Sequence, residues 1–307
     1  LAAERLGLSG LIRQADFDAL CDNRLPGTDQ PLTLRTNTNR TVGYDFNFHV
    51  PKSVSLLFAL NQDADILTAF RASVNETMAE IEEEALTRVR KNGADELRPT
   101  GNLVWGEFIH FTARPVNGEP DPHLHAHCFV FNATHDGVED ASKAGFFGSI
   151  KRDAPYFEAY FHAAMARRLA DLGYPIEKSG KGWDVRGFEK STLDKFSRRT
   201  NQIESMAAEK GIDDPELKSE LGAKSREKKF SSLTMPELRD RWRSRLDAAE
   251  LAGLESITRN HLTPDDPDAA AKSLDYAMRH HFERESVVAE KLLLATALKD
   301  GVGQIRP

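Results

Sequence analysis

The chain has 307 residues, enough to bury one large core without disulfides or an obligate partner. A hydrophobic share of 40% and a charged share of 29% are those of an ordinary globular protein, and no apolar run reaches the roughly 18 residues of a membrane span, which excludes membrane insertion. The formal charge of −7 argues by itself against a nucleic-acid partner, yet Lys178 to Arg245 hold 17 Lys/Arg against 12 Asp/Glu, so one basic region lies in an acidic chain.

The first residues, Leu1 to Gly7, have no basic or apolar signal-peptide region, so the chain is expected to begin mid-domain. Cys21 and Cys128 have neither disulfide-framework nor zinc-knuckle spacing, which points to a reducing, cytoplasmic compartment. Apolar spacing predicts a helix over 13–21, then a strand from Thr41 to Val50 that runs into a helix opened by Pro51. Ile66, Phe70, Val74, Met78, Ile81, Ala85 and Val89 share one face of a predicted long helix over 63–92. Residues 103–113 and 123–133 are the strongest strands, joined through the Pro/Gly/Asn/Asp-rich stretch Arg114 to Pro122 as a hairpin. A helix from Asp153 to Leu172 and a short hairpin from Tyr174 to Val185, turning at Ser179-Gly180-Lys181-Gly182, follow. From Glu189 the pattern is helical, broken near Gly211, Gly222, Pro236, Pro264 to Pro267 and Gly301. Strands with inserted helices followed by helices alone predict an α+β fold, an antiparallel β-sheet palm with flanking helices and a helical C-terminal extension. The division expected is 1–187 for the palm and 188–307 for the extension.

Alternate residues of a strand share a face, so His123, His125 and His127 point one way while Leu124, Ala126, Cys128 and Val130 point the other. Side chains at i and i+2 are close enough for two imidazoles to reach one cation, and His110, on the preceding strand, supplies a third. Three histidines with open positions suit catalysis better than structure. An isolated His-x-His is also common on half-exposed strands, and His123 competes with His125 as a ligand. Asp45, near the centre of the first strand, is costly there unless it is paired; it is either a turn or cap residue or, as its apolar neighbours on both sides favour, a functional carboxylate.

The run Gly43-Tyr44-Asp45-Phe46-Asn47-Phe48 into Pro51-Lys52-Ser53-Val54-Ser55 resembles the MobF-class relaxases, the TrwC/TraI group, within the histidine-hydrophobe-histidine endonucleases. His110 with Thr112-Ala113-Arg114, Asp121-Pro122 and Leu124-His125-Ala126-His127 carry the same resemblance, which extends through Leu169 to Pro175, Lys195 to Arg199 and Ser286 to Gly303. It implies site- and strand-specific nicking and rejoining of DNA at a plasmid transfer origin, by transesterification through a 5′-phosphotyrosine. His110, His125 and His127 would hold a divalent cation, Mg or Mn in function with Zn or Ni as alternatives, and Asp45 would orient a ligand histidine and help accept the tyrosine proton. Lys52, Arg114, Arg198, Arg199, Arg226, Lys228 and Lys229 are the candidate contacts to single-stranded DNA and an adjacent hairpin, with Trp183 and Trp242 as stacking or core residues.

The resemblance also implies a helicase domain downstream, partnership with type IV secretion coupling machinery, and nucleophilic tyrosines upstream of Leu1. This chain departs from the pattern in a longer interval between His110 and His125, with the extra residues in Pro115 to Pro120, and in the presence of His123 and His49. Two rival readings are a three-histidine zinc enzyme acting on a small molecule, which needs an enclosed apolar pocket, and a non-catalytic origin-binding module.

Overall fold

The computed structural model describes residues 2–34, 39–91, 93–180, 182–227, 233–264 and 266–307. Two short helices, α1 (Ala2–Arg5) and α2 (Gln14–Cys21), precede β1 (Gly43–His49), α3 (Lys52–Asn61) and α4 (Ala64–Glu83). Next come β2 (Leu86–Lys91), β3 (Ala94–Pro99), β4 (Trp105–Thr112) and β5 (Pro122–Phe131), followed by the short strands β6 (Thr134–Asp136), β7 (Ala141–Lys143) and β8 (Gly145–Phe146). Helices α5 (Gly148–Arg152) and α6 (Ala154–Asp171) lead to the hairpin of β9 (Ile176–Ser179) and β10 (Gly182–Val185). The remainder is helical: α7 (Lys190–Lys195), α8 (Arg198–Glu209), α9 (Pro215–Lys224), α10 (Met235–Ser244), α11 (Ala248–Ser256), α12 (Ala269–Phe282) and α13 (Glu290–Asp300). The α+β architecture expected from the sequence is the one observed.

The central sheet is antiparallel in the order β1-β5-β4, with β5 in the middle. Its pleat separates two environments. Leu124, Ala126, Cys128 and Val130 face inward, each 1% exposed or less, and join the core that Ile66, Phe70, Val74 and Met78 of α4 build with Phe157, Phe161, Met165 and Leu169 of α6. The opposite face carries the histidines. Helix α3 joins this core to a second one, because it is apolar nearly all round, as a helix buried on several sides must be. Its Val54 and Leu57 pack into the sheet core, while Leu56, Ala59 and Leu60 pack with Phe196, Leu238, Trp242 and Leu246 of the later helices. A third cluster seats Ala2, Leu8 and Leu20 against Val104, Phe131 and Ala133, with Phe17 of α2 5.2 Å from the Phe131 ring. Helices α12 and α13 also reach the sheet core through Ala269, Ala295 and Leu298.

The helix expected over 63–92 stops at Glu83, and its last part is the strand β2. Ala85 and Val89 fit a helical repeat, but Thr87 and Val89 also alternate inward, and pairing with β3 and β8 decides for the strand. The short pairing of β6 with β7 is likewise absent from the expectations. The break expected near Gly222 is the end of α9 at Lys224; Gly222 itself lies inside that helix, where an added Cβ would sit 3.0 Å from Ile203 of α8, so the residue permits close helix packing. Of the expected turn from Ser179 to Gly182, Lys181 lies outside the described residues.

Phe70 is fully buried and meets the Phe161 ring edge-on at 5.9 Å. Phe70→Ala should therefore lower unfolding free energy by about 3–5 kcal/mol in urea titration, from lost transfer energy plus a cavity. A loss well below 1 kcal/mol would mean that this contact is not part of the cooperative core.

Candidate metal centre and nucleic-acid cleft

The register sets the site. His110 of β4 lies directly opposite His125 of β5, and His127 is one pleat further along the same face. The three rings have centroids 5.2 to 5.3 Å apart, and one ring nitrogen from each lies within 4.8 Å of the other two. That separation suits three nitrogens about one cation at roughly 2.0–2.2 Å each. His123 is outside this group: its ring stacks on His125 at 4.6 Å, with the planes 27° apart.

The other nitrogens of two rings are already committed. His127 Nδ1 donates to Asp45 Oδ2 at 2.7 Å, and His125 Nδ1 donates to the His123 carbonyl at 3.0 Å. Both contacts leave Nε2 with its lone pair toward the cluster, the arrangement that orients metal-binding imidazoles. Burial, reinforced by repulsion from His110 and His127, pushes the His125 pKa down to about 4, so the ring is neutral and able to ligate near pH 7. Asp45 lies on β1 opposite Phe129, and Asn47 Nδ2 donates to its Oδ2 at 3.3 Å. The sequence reading did not single out Asn47, although its place two residues from Asp45 on the same strand face was the signal for it.

A cleft of about 950 Å³ opens over this face. Its floor holds Asn47, His49, His110, His123, His125 and His127; its walls come from Lys52, from Thr112 to Arg114 and from the helical region, where Phe196, Arg199, Ile203, Arg226 and Met235 form a roof. Lys52 Nζ donates to the Pro122 carbonyl at 2.8 Å, and burial lowers its pKa to about 8 against the opposing pull of Asp121. Arg114 is half-buried and Arg226 exposed, and neither pairs with a carboxylate among the described residues.

Arg198 and Arg199, candidate DNA contacts, both have partners within the protein. Arg198 donates through Nε to Asp121 Oδ1 at 3.0 Å, through its backbone N–H to Asp121 Oδ2 at 3.0 Å, and to the Glu119 carbonyl at 3.0 Å. Arg199 donates to the Ser225 carbonyl and hydroxyl at 3.2 and 3.1 Å, and to the Gly222 carbonyl, closing the C-terminal end of α9. Both guanidinium groups are held by the protein, and Arg199 also lines the cleft. Lys228 and Lys229 lie outside the described residues. Trp242 donates to the Pro120 carbonyl at 2.9 Å and Trp183 to His162 Nδ1 at 3.2 Å, and both rings are core residues. Sequence reasoning quoted Asp121 within a motif but gave it no role; it is 3% exposed, also accepts from Arg245 at 2.8 Å and so ties the roof to the start of β5.

Residues 1–249 match the family model described as TrwC relaxase. The chain belongs to that family. It is 32% identical over 77% of its length to the multifunctional conjugation protein TraI of Escherichia coli, of which it spans 13%. Among solved structures it is similar to a copper-bound conjugative relaxase TrwC in complex with oriT DNA, at 30% identity and a TM-score of 0.73, covering 84% of this chain and 86% of that one. It is equally similar to TrwC complexed with a 27-mer DNA comprising the recognition hairpin and the cleavage site, at 30% identity and a TM-score of 0.73, covering 84% and 90%. The antiparallel sheet with flanking helices is the fold of this relaxase family. Among the described residues, no helix is long and apolar enough to cross a membrane.

If the imidazole cluster binds a cation as its geometry indicates, alanine at His110, His125 or His127 should weaken Mn or Zn binding by about tenfold or more in calorimetry. His123→Ala should leave the ligand set intact. Loss in His123→Ala with retention in His125→Ala would exchange their roles. A separate outcome concerns acid. Burial lowers the pKa of His162 to about 4, below the roughly 6.5 of an unfolded histidine, so the unfolded state binds the extra proton first. Stability from His162 is present above the unfolded value and is lost as pH falls toward 4. Thermal melts of His162→Gln should show a flatter dependence over that window than the parent, and identical slopes would remove His162 as a contributor.

Proposed function

We propose that this chain is the catalytic palm of a conjugative relaxase, which nicks and rejoins one DNA strand at a plasmid transfer origin by metal-dependent transesterification. The observation that carries the reading is the three-imidazole cluster, backed by Asp45, on the floor of an open cleft with cationic walls. His110, His125 and His127 would hold a divalent cation, which when bound supplies Lewis-acid polarisation of a phosphoryl oxygen. Three neutral imidazoles favour Mn, Ni, Cu or Zn over Mg by ligand softness, while abundance favours Mg or Mn in function.

The chain's own residues do the rest. The His123 carbonyl and Asp45 hold two imidazoles in the tautomer that presents Nε2 to the cleft. Asp45, 46% exposed at its side chain, also remains accessible as a base for an incoming hydroxyl. Lys52, Arg114 and Arg226 line the walls and would contact phosphates of single-stranded DNA, which positions the scissile bond. The roof from residues 188–307 would complete the clamp over the palm of residues 1–187.

The nucleophile is a tyrosine outside residues 1–307. Tyr156, Tyr160 and Tyr174 donate their hydroxyls to Glu80, Glu76 and Asp63, Tyr44 packs on Phe147, Tyr276 lies against His280, and none of the five lines the cleft. A DNA hairpin beside the cleaved strand, a helicase region downstream, the coupling machinery of type IV secretion and a cytoplasmic setting complete the proposal. The open, cation-lined cleft disfavours a small-molecule zinc enzyme.

Residues 1–307 offered the strand of their own transfer origin with Mn should bind it yet form no covalent adduct. A chain extended upstream should form an adduct that survives denaturing gels, and both chelation and Asp45→Ala should reduce it by about a hundredfold or more. An adduct on residues 1–307 mapped by mass spectrometry to an internal tyrosine would overturn the assignment of the nucleophile. Absence of any adduct from the extended chain would favour the non-catalytic origin-binding module.

A further inference from the structure

The loop between β4 and β5 ends in a tight turn. Val116 and Glu119 exchange backbone hydrogen bonds at 3.0 and 3.2 Å, with Asn117 at φ 53° and Gly118 at φ 78° between them. Asn-Gly in this left-handed conformation is the sequence expected of a two-residue hairpin turn. Successive N–H groups in such a turn point outward together and make a concavity for an anion. An anion is already there: the Glu227 carboxylate accepts from Asn117 N–H at 3.0 Å and from Gly118 N–H at 3.1 Å, one oxygen to each.

The surroundings are cationic. Arg114 and Arg226 line the adjoining cleft without ion pairs among the described residues, and their charges add to burial in lowering the pKa of Arg199. The two backbone N–H groups, and then Arg199, hold the Glu227 carboxyl below its usual range. Glu119, the nearest other carboxylate along the chain, is committed to Arg198 and Arg241.

We propose that the Asn117–Gly118 turn with Arg114 and Arg226 is a phosphodiester site on the cleft rim, which Glu227 fills until a phosphate of the DNA strand displaces it. The inference rests on the DNA reading above, and it gives Glu227 a definite role as an internal competitor. A carboxylate and a phosphodiester each present two oxygens to paired N–H donors, so the same turn accepts either. Displacement frees Glu227 from the turn at the cost of its own contacts, which lowers affinity for any strand whose phosphate takes the turn. Because the cost is the same for every strand that takes the turn, the competitor lowers cognate and non-cognate affinity by the same factor, and discrimination is left to the contacts at the roof and the metal face.

The test uses Glu227→Gln and Glu227→Ala in the full chain, with two readouts. In the first, titration with inorganic phosphate is followed by the amide resonances of Asn117 and Gly118. Both variants should show shifts at about tenfold lower phosphate than the parent, the equivalent of one charge-assisted hydrogen bond released from competition. In the second, affinity for a non-cognate single-stranded oligonucleotide is measured against salt. It should rise by a similar factor in both variants, with the slope of log affinity against log salt steeper by about 0.7, one phosphate contact. Adding Arg114→Ala and Arg226→Ala should cancel both gains. Unmoved amides, or oligonucleotide affinity equal to or below that of the parent, would overturn the inference. If the parent chain shows no salt-dependent oligonucleotide binding, the DNA reading itself falls, while the phosphate titration still decides whether the turn is an anion site.

Discussion

The two-residue repeat of β5 is the constraint on which the site depends. Because every second side chain crosses the sheet, a single strand presents Leu124, Ala126, Cys128 and Val130 to the core and His123, His125 and His127 to the cleft. A slip of one residue would bury three imidazoles among aliphatic side chains and expose the strand's apolar set, so the hydrophobic effect fixes the register that the imidazole cluster needs. The edge strands then act as templates: β4 brings His110 opposite His125, and β1 brings Asp45 within reach of His127. Positioning on paired strands, rather than on loops, holds the three rings with centroids 5.2 to 5.3 Å apart.

The second organising element is helix α3. It is buried against the sheet on one side and against Phe196, Leu238 and Trp242 on the other, so the palm and its roof share one rigid connector. Polar contacts lock the same junction. Asp121, just before β5, accepts from Arg198 and Arg245, while Lys52 at the first residue of α3 donates to the Pro122 carbonyl. A carboxylate so buried is tolerable only with such partners, and removing both cations would leave the charge uncompensated. The roof, and with it the width of the cleft, is therefore tied to the first residues of the strand that carries the imidazoles.

The interval between His110 and His125 has a structural meaning. Its residues form a hairpin tip that reaches the helical roof through Glu119, Pro120 and Asn117–Gly118. Loop extension costs little chain entropy, and here the extension is fastened at several points instead of being left free.

The sequence by itself determined the central hairpin, the shared face of the histidines, Asp45 as a strand carboxylate and the α+β order, because each is encoded in local periodicity and turn chemistry. The family resemblance was equally legible, since its motifs lie on that same hairpin and first strand. Tertiary structure decided the rest. Ala85 and Val89 satisfy both a helix and a strand repeat, and only pairing with β3 and β8 chooses the strand. His123 and His125 are equivalent along the chain, and only the position of β4 selects His125 by placing His110 opposite it. Arg198 and Arg199 read as free cations until Asp121, Glu119 and the end of α9 come to meet them from 23 to 79 residues away. Periodicity reports which way a side chain points, whereas the partner that waits there is set by contacts between distant segments, which no local pattern contains.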